Sequence, residues 1–336
     1  LKAMPGLGAS QKGEVAYLKK IGASFMRVDV GDGAPDAEAA AKMLGERADG
    51  LDLRTQQGLA EGFGVADKLQ AIGALERALK LRRALVVAEA EVDGRSHADT
   101  LSAKMNLAVL LDDLGERDEA RALYTEVIAG YTEQLGPSHA DTVRAKMNLA
   151  TLLDHLAERD EARALYTEVI AGYTEQLGPS HTSTLLAKLN LANLLRQLGE
   201  RDEARALYTE VIAVYTEQLG PSHASTLKAK MNLAVLLDDL GERDEARALY
   251  TEVIAGYTEQ LGPSHADTLR AKMNLAVLLL NLGERDEARA MYTEVIAGYT
   301  EQLGPSHVDT LDLKYNLANL LRQLDERDEA RALFQQ

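Results

Sequence analysis

The chain has 336 residues, a formal net charge of −16 and no cysteine. The acidic balance argues against nucleic acid and anionic membrane surfaces as partners, because both are usually bound through basic surfaces. The absence of cysteine excludes disulfides and thiolate metal sites, and it fits a reducing compartment.

No stretch of the sequence approaches the roughly 18 consecutive apolar residues that a membrane-spanning helix needs. The first residues lack the apolar segment of a secretory signal. The sequence therefore predicts an intracellular protein that does not insert into a membrane. We expect it in the cytoplasm, or inside an organelle after removal of a transit peptide.

Residues 1–54 show no pattern that predicts a complete fold. The spacing of apolar residues favours a short helix at 14–21, a short strand at 25–30 and a helix at 36–48. We treat this stretch as an N-terminal extension that could dock on a partner.

Residues 55–96 resemble an eroded copy of the repeat that follows them. Gly73 and Ala78 lie 42 residues before Gly115 and Ala120, which hold matching places in the first clear copy. Terminal repeats of stacked arrays are often atypical because they close the core against solvent. We therefore predict a degenerate repeat that caps the N-terminal end of the array.

Residues 97–336 repeat almost letter for letter every 42 residues, in six copies of which the last is incomplete. Each copy, numbered here as repeats 1 to 6, begins at a histidine: His97, His139, His181, His223, His265 and His307. A fixed period of this size is typical of stacked-repeat proteins. The sixth copy stops early, so we expect further chain or a partner to cover that edge.

Each copy is predicted to form two helices. In repeat 1, apolar residues at helical spacing predict helix A at about 99–114 and helix B at about 118–135. Gly115 suits the end of helix A, because a positive φ angle costs glycine little. Gly136-Pro137 ends helix B, because proline cannot continue a helix.

The first copy resembles the tetratricopeptide repeat at Leu107-Ala108, Leu111, Gly115, Ala120 and Tyr124. Its Asn-Leu-Ala run, followed by GERDEARALY and LGPSH, is similar to the 42-residue repeats of kinesin light chains. The resemblance implies an all-α fold, an α-solenoid in which helix-turn-helix repeats form a right-handed superhelix. It also implies a concave groove, lined by helix A of each repeat, in which peptide segments lie.

The copies differ mainly on one side of helix A. The residues equivalent to Ser102, Val109, Asp112 and Asp113 change from copy to copy, and their spacing places them on one side of the helix. Helix B also has positions predicted to be exposed, yet it scarcely varies. This contrast favours a groove diversified for a ligand, and the alternative is drift at positions where changes cost little.

One asparagine per copy forms a ladder beside these positions. A side-chain amide offers donors and an acceptor, so the ladder could bind a peptide backbone, or each amide could bond to a neighbouring helix. The charged side chains beside it predict a protein or peptide segment of mixed charge as the partner. The predicted partner-binding residues are Asn106, Asn148, Asn190, Asn232, Asn274, Asn316, Arg144, Lys228, Arg270, Asp112, Asp154, His155, Asn193, Arg196, Asp238, Asn319 and Arg322.

We expect a non-catalytic scaffold or adaptor that binds a partner segment in the groove. The alternatives are a permanent structural subunit of a larger complex, which could be organellar, and the interaction region of a longer signalling protein. The sequence lacks a Ser-His-Asp constellation, a P-loop and calcium-loop spacing. Its periodic histidines recur one repeat apart, which does not suit four-ligand chelation. We therefore predict no catalytic residue, no cofactor and no metal.

Overall fold

The computed structural model describes residues 37–92, 94, 97–323, 326 and 330. This part of the chain forms fourteen α-helices and no β-strand. The helices are α1 (Ala37–Asp49), α2 (Gln56–Ala71), α3 (Leu75–Val92), α4 (Ala98–Asp113), α5 (Arg117–Leu135), α6 (Ala140–His155), α7 (Arg159–Leu177), α8 (Thr182–Leu198), α9 (Arg201–Leu219), α10 (Ala224–Leu240), α11 (Arg243–Leu261), α12 (Ala266–Leu282), α13 (Arg285–Leu303) and α14 (Val308–Gln323).

The predicted helix pair recurs along the array. In repeat 1, α4 is helix A and α5 is helix B, and both begin and end within a residue of the predicted bounds. Helix α1 falls where the sequence predicts a helix at 36–48. The helix predicted at 14–21 and the strand predicted at 25–30 lie outside the described residues.

The chain divides into two compact units, of which the first ends at Glu116 and the second begins at Arg117. In the first unit, α2 and α3 pack as a pair, α1 packs on α2, and α3 packs on α4. The core of the pair includes Leu59, Leu69 and Leu85. The degenerate repeat predicted at 55–96 thus coincides with a helix pair, and its role as a cap stays a prediction.

In the second unit, every helix packs on the next one along the chain. Tyr166 and Val169 of α7 share a buried cluster with Ala187 and Leu194 of α8, which belongs to the following repeat. Helix B of one repeat is therefore buried by helix A of the next. Burial of this apolar surface is the main force that holds the repeats together.

A histidine begins helix A in each of repeats 1 to 5. At α10, the backbone N–H of Ser225 donates to Nδ1 of His223 at 3.2 Å, which satisfies one of the unpaired donors of the first turn. The buried Thr226 hydroxyl donates to the Gly220 carbonyl at 2.9 Å. Gly220 has a φ of 98°, a conformation that favours glycine. The periodic histidines therefore fix the turn between repeats.

The cap at α10 can be tested by substitution. His223→Ala removes the acceptor and should lower the free energy of unfolding by about 1 kcal/mol, the usual cost of losing an N-cap. His223→Asn should retain most of that stability, because asparagine is a strong N-cap residue. Urea unfolding of the two variants checks this. Equal stability of the alanine and asparagine variants would contradict the capping role.

One helix B position must be small because helix A of the same repeat approaches it closely. A Cβ atom on Gly172 in α7 would lie 2.8 Å from a methyl carbon of Val143 in α6. The equivalent residue in α9 is Val214, which is half-buried, and α9 packs less extensively on α8 than α7 packs on α6. A larger side chain at this position thus accompanies looser packing of the two helices of repeat 3.

Gly172→Val should therefore lower the free energy of unfolding by about 1–3 kcal/mol, the usual cost of overpacking a core. The matched control is Ala171→Val, because Ala171 is exposed on the same helix. That variant should lose only the helix-propensity difference of about 0.6 kcal/mol. Thermal or urea unfolding compares the two. A Gly172→Val variant that is no less stable than the control would refute the close approach.

Candidate functional site

The varying positions of helix A share a face that lies largely outside its buried contacts with helix B. In α6, Arg144 and His155 are exposed, and Asn148, Thr151 and Asp154 are half-buried. Other residues of the same helix, such as Leu152 and Leu153, are packed between helices and have almost no exposed surface. We call this buried contact region between stacked helices the seam. We call the varying positions and the asparagine ladder, taken together, the A-helix face.

The A-helix face continues across repeats within the second unit. Helix α6 contacts α8, α8 contacts α10, and α10 contacts α12, although a helix B lies between each pair in the sequence. Equivalent positions on these four helices therefore lie side by side. In the first unit, the equivalent residues lie on α4, where Asn106 is exposed and Asp112 is half-buried.

The asparagines of the ladder are tied to neighbouring helices. Asn190 of α8 lies beside the Tyr166 hydroxyl of α7, and Asn274 of α12 lies beside the Tyr250 hydroxyl of α11. Burial is the main reason that the pKa of Tyr166 is raised to about 12. An asparagine amide has two N–H donors and a carbonyl acceptor, so each of these side chains can also bond to a ligand. Asn148 and Asn232 are half-buried and Asn316 is exposed.

Repeats 3 and 4 share a polar cluster on this face. The Asn193 side-chain oxygen accepts from the Tyr208 hydroxyl at 2.6 Å and from the Asn232 amide at 3.0 Å. Next to it, Arg196 donates to Asp239 at 2.8 Å, and both side chains are partly exposed. Asn193, Asn232 and Arg196 are therefore used at least in part to hold the two repeats in register.

The basic side chains at the start of helix A differ in how they are paired. Arg144 bonds to Asp141 and Arg270 bonds to Asp267, both at 2.8 Å and one helical turn apart. Lys228 differs because the residue three places before it is Ser225. Lys228 is exposed, and within the described residues no carboxylate forms an ion pair with it.

The carboxylates near the end of helix A lie close to the following turn. Asp154 and Asp238 are half-buried, and burial raises the pKa of each carboxyl above its usual value. Arg159 and Arg243, at the starts of α7 and α11, oppose that rise. The Arg243 guanidinium lies 3.8 Å from Asp238. These aspartates therefore help to join helix A to helix B, besides bordering the face.

Two apolar side chains and two residues of the last helix complete the face. Leu186 of α8 is 44% exposed and Val277 of α12 is 39% exposed, and both occupy varying positions. In α14, Arg322 is exposed and Asn319 is half-buried. Neither the leucine nor the valine was among the predicted partner-binding residues, although both stand at positions that vary between copies.

The constancy of helix B has a structural cause. Arg205 of α9 reaches Glu242 at 2.8 Å and Glu245 at 3.5 Å, at the start of α11 in the next repeat. The same pair of contacts recurs at Arg163 and at Arg247. The exposed charges of helix B are thus held by stacking. Because stacking alone explains why these charges are constant, their constancy is weaker evidence that a ligand drove the changes on helix A.

The sequence predictions did not include contacts between the tyrosines of helix B and the asparagine ladder. A tyrosine, and not a phenylalanine, stands at each of Tyr124, Tyr166, Tyr208, Tyr250 and Tyr292. A buried phenol usually finds a hydrogen-bond partner, so this preference was the available signal.

Within the described residues, no three histidine or carboxylate side chains form a group that could hold a metal ion. None of the described helices could cross a membrane.

Helix pairs that stack through a shared seam define a helical-repeat protein. The family model of the tetratricopeptide repeat matches residues 98–175, 182–259 and 267–336, which is more than half of the chain. The chain therefore belongs to the tetratricopeptide repeat family. The predicted all-α solenoid and the kinesin light chain-like character of its repeats are confirmed. The chain is a protein-interaction scaffold, and its fold is typically non-catalytic.

Solved structures share this fold. A Podosopora anserina protein described as a kinesin light chain with nearly identical TPR-like repeats is 26% identical, with a TM-score of 0.54 over 60% of this chain and 96% of that one. BtubC (BKLC) from P. vanneervenii is 21% identical, with a TM-score of 0.56 over 69% of this chain and 91% of that one. The quorum sensor NprR from B. thuringiensis is 13% identical, with a TM-score of 0.63 over 97% and 92%. No curated protein matches the chain.

Proposed function

We propose that the second unit binds a segment of a partner protein along its A-helix face, which forms a groove. The observation that carries the proposal is that varying residues of neighbouring A helices lie side by side outside the seam. Helix B is constant and tied to its neighbours, whereas helices α6, α8, α10 and α12 bring different side chains onto one continuous surface. A surface that differs from repeat to repeat can read the sequence of a ligand that crosses it.

The groups that remain available on this surface suit a protein segment. Lys228 offers an exposed positive charge, and Leu186 and Val277 offer apolar contact on the helices to either side of it. The ladder amides can bond to a peptide backbone, because the tyrosine contacts use only part of their capacity. Arg144 and Arg270 contribute less net charge than the sequence implies, because each is already paired on its own helix.

We assign the predicted residues of the second unit to this groove, from Arg144 to Arg322. Asn106 and Asp112 belong to the first unit and stay predictions for a separate part of the face. The ligand has both charged and apolar side chains, as the mixture of exposed groups requires. The protein acts as a scaffold or adaptor in an intracellular complex.

The test is affinity capture of partners from a native extract, with the wild-type chain and a groove variant as baits. The groove variant combines Leu186→Glu, Lys228→Glu and Val277→Glu on three neighbouring A helices. All three residues are exposed, so its melting temperature should stay close to that of the wild type. The captured partner should bind the groove variant at least about tenfold more weakly.

The matched control combines Ala171→Glu, Ala213→Glu and Ala255→Glu, which add three glutamates to exposed positions of α7, α9 and α11. This control should capture the same partner as the wild type does. Capture that survives the groove substitutions would place the partner elsewhere on the chain. Equal loss with both variants would show a charge effect that does not depend on the groove.

A further inference from the structure

The end of each helix B in the second unit exposes a leucine at the same position. Leu135, Leu177, Leu219, Leu261 and Leu303 are 39%, 41%, 40%, 40% and 44% exposed. A Gly-Pro turn follows each of them, with the proline exposed and the glycine half-buried. Single exposed leucines are ordinary, but a row of apolar side chains in register is a common mark of an interaction surface. We call this row the leucine edge.

The loops beside the leucine edge are held in register by hydrogen bonds between repeats. The Gln218 amide donates to the Ser180 carbonyl of the preceding turn at 3.1 Å. Gln260 and Gln302 make the same contact with Ser222 and Ser264. The leucines therefore lie at fixed positions along the edge. Binding of a partner then costs less conformational entropy, because the loops are already ordered.

The turn stretch that carries the leucines has charge of one sign. The seven-residue stretch EQLGPSH contains one glutamate and no lysine or arginine, and it recurs unchanged in five places. The glutamates lie at the edge, since the Ser264 hydroxyl bonds to Glu301 of the next repeat at 3.4 Å. Lys230 reaches the Pro221 carbonyl, but it is buried and paired with Glu252. Arg144 and Arg270, which interact with tyrosines near the ends of α7 and α11, are each paired with an aspartate of their own helix.

The leucine edge also behaves differently from the A-helix face when the copies are compared. Its leucine and proline are identical in all five places, whereas the positions of the groove differ. The inter-repeat ion pairs that explain the constancy of the charged residues of helix B do not involve these leucines. A regular and unvaried surface suits a ligand that is itself regular.

We propose that the leucine edge docks an amphipathic helix with aliphatic side chains on one face and lysine or arginine beside them. The aliphatic face covers the leucines and prolines, and the cationic side chains meet the bordering glutamates. A second copy of this chain is a poor occupant, because it would bring a matching row of carboxylates against the first. This surface shares no residue with the groove, so the proposal does not rest on the proposed function.

The test uses a fluorescent synthetic helix made only of leucine and lysine, about 18 residues long, with its leucines at helical spacing. A scrambled peptide of the same composition has equal charge and no apolar face. Fluorescence anisotropy should show that the wild-type chain binds the patterned peptide at least about tenfold more tightly than the scrambled one. Equal binding of the two peptides, or no binding of either, would overturn the proposal.

Three variants locate the binding. Leu177→Gln, Leu219→Gln and Leu261→Gln together should weaken binding of the patterned peptide about tenfold. Val87→Gln, a change at an exposed apolar residue of α3 in the first unit, should leave binding unchanged. If the triple variant melts early, Glu175→Lys, Glu217→Lys and Glu259→Lys keep the leucines and should weaken binding as much. Unaltered affinity in both edge variants would refute docking at the leucine edge.

Discussion

The structure depends on one constraint, which is that a single helix pair cannot bury its own apolar surface. Tyr208 and Val211 of α9 have no exposed surface because α10 of the next repeat covers them. This dependence sets the direction of stacking, since helix B must meet the following helix A. It also limits what can change, because a residue in the seam contacts two repeats at once.

The constraint divides the surface of the second unit into parts with different roles. Helix B carries the arginines and glutamates that join neighbouring repeats, so its exposed polar residues are fixed by structure. Each of these pairs is about one-third exposed or more and so adds little alone, on the order of 0–1 kcal/mol, but the pattern recurs at every junction. Helix A keeps one face largely outside the seam, and changes at the residues of that face that make no contact between repeats leave the stacking intact.

The fold was predictable from sequence because its signals are local and repeated. Gly115, Gly136 and Pro137 mark the turns, and the apolar spacing marks the helices, with an error of about one residue. The partners of the face residues were less predictable, because Asn190 and Tyr166 are far apart in sequence and meet only after folding. One local signal was available and unused: Asp141 and Asp267 lie one turn before an arginine, whereas Ser225 lies one turn before Lys228.

The central claim is that the varying face of helix A is open while the face beside it is sealed in the seam. Because the chain has no cysteine, single cysteines can be introduced and their reaction with a soluble thiol reagent measured. Leu186→Cys and Val277→Cys should react rapidly, whereas Leu185→Cys and Ala276→Cys, whose sites have no exposed surface, should be protected in the folded chain. Fast reaction at 185 and 276 with protection at 186 and 277 would contradict the account.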